Sequence, residues 1–197
     1  MELNKLKSVI CLIHKFAHGN ITSYQLAKAL YLTEYLSFKF CERPVLGLEF
    51  TYHHYGPYPK QALEDLEKEG FFKTEIKLSR RGYLTHLKHP CHYPDKAIDD
   101  QERQIIFLAT KVVKEKSAKG VKELNDFIYS TEPMKVAVKG QIIRMHHVLA
   151  KKRIERIKKR IRNKGLSYYI TFPEGSEKLE NEFLKQTDIL FTEDQPV

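Results

Sequence analysis

The chain of 197 residues has no tryptophan, only three cysteines, and no uncharged apolar run near the roughly 18 residues a transmembrane helix needs. The N-terminal stretch MELNKLKSVICLIHKF is interrupted by an acid and three lysines, so it reads as neither a span nor a signal-peptide core. Residence in the cytoplasm is the expectation. Cys11, Cys41 and Cys91 are scattered and form no CxxC pair, which suits free thiols in a reducing compartment. Also missing are a Walker loop, a dinucleotide GxGxxG, a GxSxG elbow, HExxH and a kinase signature, so no enzyme is expected. There is no internal repeat and no low-complexity tract. What remains is an ordinary globular composition, 42% hydrophobic and 30% charged, long enough to bury a core.

The net charge is +9, and it is unevenly placed. Residues 151 to 164 hold nine basic residues against one acid, and residues 165 to 197 hold seven acids against two lysines. A basic excess points to a polyanionic partner only if the cations are free to meet one.

Leu3, Leu6, Ile10, Ile13 and Ala17 recur at helical spacing and stop at His18-Gly19-Asn20. Thr22 with Gln25 has the form of a capping box, and Leu26, Ala29, Leu30, Thr33, Leu36 and Phe40 line one face of a second helix. Asn20-Ile21-Thr22 also matches a glycosylation sequon, but the cap reading is preferred. Leu46 to Tyr52 is short and β-favouring and runs into the aromatic, proline-rich patch from Tyr52 to Pro59, where the prolines suit a turn entering a helix. That helix carries Ala62, Leu63 and Leu66 inward and stops at Gly70. Segments 71–78 and 83–87 then read as strands around the turn Ser79-Arg80-Arg81-Gly82.

A loop with Pro90 and Pro94 leads to the acidic first turn Asp99-Asp100-Gln101-Glu102 of a helix ending at Gly120. A shorter helix covers 121–129. From Thr131 the spacing of Val136, Gly140, Ile143, His147, Ala150, Ile154, Ile157 and Ile161 predicts one helix of about 26 residues, roughly 39 Å long. The predicted fold is mainly α with a small β-hairpin, in the element order of a winged helix. The predicted organisation is a helical domain over 1–145, a basic amphipathic helix over 146–164 and an acidic tail over 165–197.

His86, His89, Cys91 and His92 are donors of the kind zinc accepts, but their spacing does not match common structural sites. They read as solvated histidines beside a semi-buried thiol, and no metal or cofactor is expected. Asp99-Asp100 reads as a dipole-complementing helix start rather than a catalytic carboxylate pair. The basic helix (Lys151, Lys152, Arg153, Arg156, Lys158, Lys159, Arg160, Arg162) has three conceivable targets: phosphates, an anionic membrane surface, or the chain's own acidic tail. Without Trp or Phe to anchor it, the membrane option is the weakest. The helix from Pro59 to Glu69, in the recognition position of a winged helix, has four acids against two lysines, a face that repels phosphate.

Leu26-Ala27-Lys28-Ala29-Leu30-Tyr31-Leu32 resembles the Leu-x-Lys-x-Leu-Tyr core of the Panacea antitoxin domain, also called SocA-like. Phe50 to Tyr55 running into Gly56-Pro57, and Glu123 to Tyr129 before Pro133, follow in that family's order, so the resemblance covers roughly residues 3 to 145. Tyr129 stands where the family's late histidine is expected, and Met134 where a tryptophan often follows. The resemblance implies a non-enzymatic, mainly helical domain that neutralises a toxin by direct binding or, in some relatives, presents it for proteolysis.

Two functions follow. In the first, Tyr52, Tyr55, Gly56, Pro57, Tyr58 and Tyr129 form the surface for a cognate toxin, since exposed tyrosines give large, rigid contact area. The competing reading of these aromatics is that they cap the core beneath the turn. In the second, a winged-helix regulator binds nucleic acid through Arg80, Arg81 and the basic helix.

Overall fold

A computed structural model of the chain describes residues 3–78, 84–90 and 98–163. Their contacts group into two units, Met1–Arg153 and Ile154–Val197, and all that follows on packing concerns the first. It is mostly helical with two small antiparallel sheets, as the sequence predicts.

Helix α1 (Leu3–Phe16) buries Leu6, Val9, Ile10, Leu12 and Ile13. It closes through left-handed His18 and Gly19, with the Gly19 N–H donating to the His14 carbonyl at 2.9 Å. Helix α2 (Ser23–Cys41) opens on the predicted capping box: Thr22 Oγ1 accepts from the Gln25 N–H, and the Gln25 side chain accepts from the Thr22 N–H, both at 3.1 Å. The box assigns Asn20-Ile21-Thr22 its role as a helix start. From Leu26 to Tyr35 every residue of α2 is buried, so this helix is the axis of the unit rather than a surface helix with one apolar face. Phe40, expected on the inner face, is 63% exposed, because the helix has by then run past the core.

After α2 the chain passes through buried Val45, Leu48 and Phe50 into a tight hairpin. Strand β1 (Thr51–His53) pairs with β2 (Gly56–Tyr58), with Thr51 opposite Tyr58 and His53 opposite Gly56. Gly56-Pro57 is therefore a strand rather than the turn the sequence suggests, and the turn is His54-Tyr55. Helix α3 (Lys60–Lys68) buries Ala62, Leu63 and Leu66 as predicted. A second hairpin follows, β3 (Phe72–Leu78) against β4 (Leu84–Pro90), in register from Phe72–Pro90 to Leu78–Leu84. Pro90, expected in a loop, ends β4. The tip with Arg80 and Arg81 lies outside the described residues.

Helix α4 (Asp100–Lys119) packs along α2 and α1. Its N-cap is Asp99, which forms a second capping box with Glu102. Helix α5 (Val121–Tyr129) and the short α6 (Glu132–Lys135) follow.

The predicted long helix is broken. Between α6 and α7 (Met145–Asn163) the chain makes a turn, in which the Gln141 N–H donates to the Val138 carbonyl at 3.0 Å, and is hydrogen-bonded to the edge of β1. The Tyr52 N–H donates to the Gln141 carbonyl (2.9 Å), the Gly140 N–H to the Tyr52 carbonyl (2.8 Å), and the Ile143 N–H to the Phe50 carbonyl (2.7 Å). Gly140 at φ +84° is poorly suited to a helix interior, and an open strand edge nearby satisfies the backbone instead. Periodicity alone had joined two helices that differ in role: Val136 is 61% exposed, whereas Ile143, Met145 and Leu149 are buried. Among the described residues, no helix is long and apolar enough to cross a membrane.

Two substitutions separate cap from core. Thr22→Ala is expected to cost about 1 kcal/mol, and Leu30→Ala, at a position with no exposure, roughly 2–5 kcal/mol. Urea unfolding followed by circular dichroism measures both, and equal losses would contradict the central placement of α2.

Candidate functional site

Lys28 lies in the middle of the buried run of α2 and is 2% exposed. Its ammonium reaches the underside of the β1–β2 hairpin, where Nζ donates to the carbonyl of Tyr55 and to that of Pro57 at 3.2 Å. The ring of Tyr24, one turn earlier on α2, lies 5.1 Å from the same nitrogen. A buried cation needs such partners, because water is no longer there to solvate it. Burial lowers the Lys28 pKa to about 7.

Gly56 gives the lysine its room. A Cβ there would stand 2.9 Å from Lys28 Nζ and 3.4 Å from Tyr129 Cε1, and the residue holds φ +89°. Tyr129, at the end of α5, packs beside Tyr52 with ring centroids 5.9 Å apart. Burial first, then Tyr52, raises its pKa. The Tyr24 hydroxyl donates to Asn125 Oδ1 at 2.5 Å, and burial first, then Tyr129, raises the Tyr24 pKa to about 12.

Tyr31 secures the next part of the chain. Its buried hydroxyl is 2.7 Å from Thr131 Oγ1, while Tyr35 donates to Glu132, so the start of α6 is held by α2. At the other end of the buried run, Glu34 is 1% exposed and accepts from the N–H groups of Leu46 (2.7 Å) and Gly47 (3.2 Å). Burial raises its pKa to about 7 despite these bonds.

The six residues predicted as a partner surface are brought together, but at different depths. Tyr55, at the hairpin turn, is 67% exposed, with His53 and His54 exposed beside it. Tyr52, Tyr58 and Tyr129 are half-buried, and Gly56 and Pro57 are buried. The core-cap reading therefore describes the inner layer, and the surface reading describes the rim. Tyr58 lies toward α3, and its pKa is raised by burial, then by Glu67 and Glu64.

On α7, Lys151, Arg153, Arg156 and Lys159 are exposed, Lys152 is half-buried, and Arg153 pairs with Glu42. Lys158, Arg160 and Arg162 are on α7 by backbone only, their side chains outside the description, as is that of His86. Cys91 and His92 lie outside the described residues. His89 Nδ1 is 3.3 Å from His14 Nε2, and its Nε2 is 3.2 Å from Glu75. Among the described residues no group of three or more metal-ligating side chains comes together.

The one amine in the cluster, on Lys28, faces two carbonyls and is sealed from solvent, which leaves the imidazoles of His53 and His54 and the Tyr55 hydroxyl as its exposed polar groups. The residues missed from sequence are Lys28 and Glu34 in their structural roles. The signal was present as a charge of each sign inside an otherwise apolar helical run.

These two groups set a testable pH dependence. Between about pH 4.5 and 7 the folded state holds the Glu34 proton that the unfolded state has lost, so stability falls as pH rises. Between about pH 7 and 10.5 the unfolded state holds the Lys28 proton that the folded state has lost, so stability rises with pH. Their joint contribution is lowest near pH 7. Chemical unfolding across this range should show Glu34→Gln flattening the acid limb and Lys28→Met the alkaline limb. If neither variant changes its limb, these groups do not titrate as described.

The family described as antitoxin SocA-like, Panacea domain, matches residues 26–133. Neither the curated proteins nor the solved structures yield a match. The matched span begins with the α2 run that carries Lys28 and Tyr31, takes in Gly56-Pro57, and ends at Pro133, beside the Thr131 and Glu132 that α2 holds. It covers more than half of the chain and, except for Tyr24, the whole of this linked framework, so the chain belongs to the SocA-like Panacea antitoxin domain family.

Proposed function

We propose that this chain is an antitoxin that neutralises a cognate toxin protein by direct contact, without catalysis, through the β1–β2 hairpin. One observation carries the reading: Tyr55 is largely exposed at the tip of a turn whose own carbonyl is held from below by the buried Lys28. A large aromatic on a fixed backbone loses little freedom on binding, and interface energy concentrates on such anchors. His53, His54 and Tyr58 supply polar and aromatic area around it. Family membership supports the antitoxin role.

The nucleic-acid reading gains less support. Helix α3 carries Glu64, Asp65, Glu67 and Glu69 at or near the surface, a poor face for phosphate.

The test is affinity purification from the native host, with and without nuclease, followed by co-expression with the recovered protein in a growth assay. A stoichiometric protein that survives nuclease, slows growth alone and is silenced by this chain is the expected result. Recovery of nucleic acid alone would overturn the proposal. The toxin level during silencing separates simple neutralisation from presentation for proteolysis. Tyr55→Ala together with Tyr58→Ala is expected to cost about 2 kcal/mol or more of binding with an unchanged circular dichroism spectrum; retained affinity would remove the hairpin from the interface.

A further inference from the structure

The hairpin is not an isolated pair of strands, because the run after α6, having turned at residues 138–141, bridges to its open edge at Ile142. In the bridge between Thr51 and Ile142, the hydrogen bonds run through the flanking residues, Tyr52 to Gln141 and Ile143 to Phe50. Thr51 and Ile142 thus form a non-hydrogen-bonded antiparallel pair, and Ile142 directs its own N–H and C=O away from β1, to the outer side. Since Thr51 is also opposite Tyr58, the row Ile142, Thr51, Tyr58 runs from that bridge across β1 and β2 on one face.

This outer run has an unusual surface. Val136, Val138 and Ile142 are 61%, 57% and 57% exposed, and Lys135, Lys139 and Arg144 are exposed between and beside them. From Pro133 to Arg144 there is no acid, and none of the ion pairs among the described residues involves these three cations. The acids nearest in sequence are Glu132, just before the run, and exposed Glu49, two residues before β1, which the antiparallel register sets opposite Arg144 and so leaves Lys135 and Lys139 as the cations with no acid across from them in the bridge. On the far side of the hairpin the sign reverses, with Glu64 and Glu67 of α3 acting on Tyr58. The face is polar in charge, cationic along the outer run and acidic beyond β2.

We infer that residues 135–144 form the second half of the partner-binding face, and that the partner lays against them an extended apolar segment flanked by carboxylates. This rests on the reading above that the hairpin binds a protein. Charge complementarity selects carboxylates on this side only. Exposed valine and isoleucine select an apolar segment over a phosphate backbone, which gains nothing from them. The outward peptide group of Ile142 offers main-chain pairing to an extended strand.

The full-length chain is titrated with a short fluorescent peptide alternating leucine with glutamate, with its lysine counterpart, and with single-stranded DNA. The glutamate peptide is expected to bind and to shift the backbone amides of residues 136–142 in NMR spectra, while the lysine peptide does not. Reversing the strip with Lys135→Glu, Lys139→Glu and Arg144→Glu should weaken the glutamate peptide roughly tenfold or more and transfer binding to the lysine peptide. A variant that had merely unfolded would not gain that second activity. No binding of the glutamate peptide, equal binding of both peptides, shifts elsewhere on the chain, or displacement of the peptide by DNA would each overturn the inference. A recovered toxin that still binds the reversed variant at full affinity but not the Tyr55→Ala, Tyr58→Ala variant would overturn the strip alone. Capture of nucleic acid only would overturn both readings.

Discussion

The bond between the Lys28 ammonium and the carbonyls of Tyr55 and Pro57 organises the rest of the unit. An amine buried in the middle of a helix must find acceptors, and the helix has none to spare, since its own carbonyls are engaged along the axis. The β1–β2 hairpin provides them by turning its carbonyls inward. That in turn requires a strand residue without a side chain at the point of closest approach, which is Gly56. Loss of the proton near neutral pH does not break this arrangement, because an uncharged amine retains two N–H groups for two carbonyls.

The same helix repeats the device with the opposite charge. Glu34, six residues on, collects two N–H groups from the loop after α2, so one buried cation and one buried anion each fasten a different loop to the axis. Between them Tyr31 and Tyr35 reach Thr131 and Glu132, about one hundred residues further along. Apolar packing alone would hold these segments near α2 in many arrangements. Polar groups that must be satisfied in a dry interior accept few, which is how a short hairpin is fixed well enough to present one exposed tyrosine.

Local signals in the sequence were legible where the chain obeys them locally. The Thr22–Gln25 box and the apolar face of α3 are each decided within a few residues and appear as read, and the strands of the second hairpin pair as expected, with β4 running on through Pro90. The break between α6 and α7 was not legible, because the competitor for that backbone is the edge of β1, some ninety residues earlier in the chain. Likewise Phe40 keeps the helical phase of buried Leu26 and Leu30, yet it faces solvent, while the neighbouring Phe38 packs against His146 of α7. The candidate site divides in the same way. Tyr55 was readable as an exposed turn aromatic, whereas the inward placement of Gly56 and Pro57 depends on Lys28, a contact between positions nearly thirty residues apart.

That division bears on what family membership means for this chain. Of the residues that carry the family resemblance, Leu26, Lys28, Leu30, Tyr31, Gly56, Pro57 and Pro133 are buried, whereas His53, His54 and Tyr55 are exposed and Tyr52 and Tyr129 are half-buried. Buried residues hold a shape and cannot by themselves select a partner. What that shape presents to solvent is the hairpin rim and, after α6, a run with exposed valines and cations. The net charge of +9 therefore says little about nucleic acid until it is divided by location, because one cation is consumed inside the fold, others are paired at the surface, and three lie beside apolar side chains in the run after α6. A scaffold built in this way fixes the geometry of the rim from beneath, through buried polar contacts that the rim side chains themselves do not make.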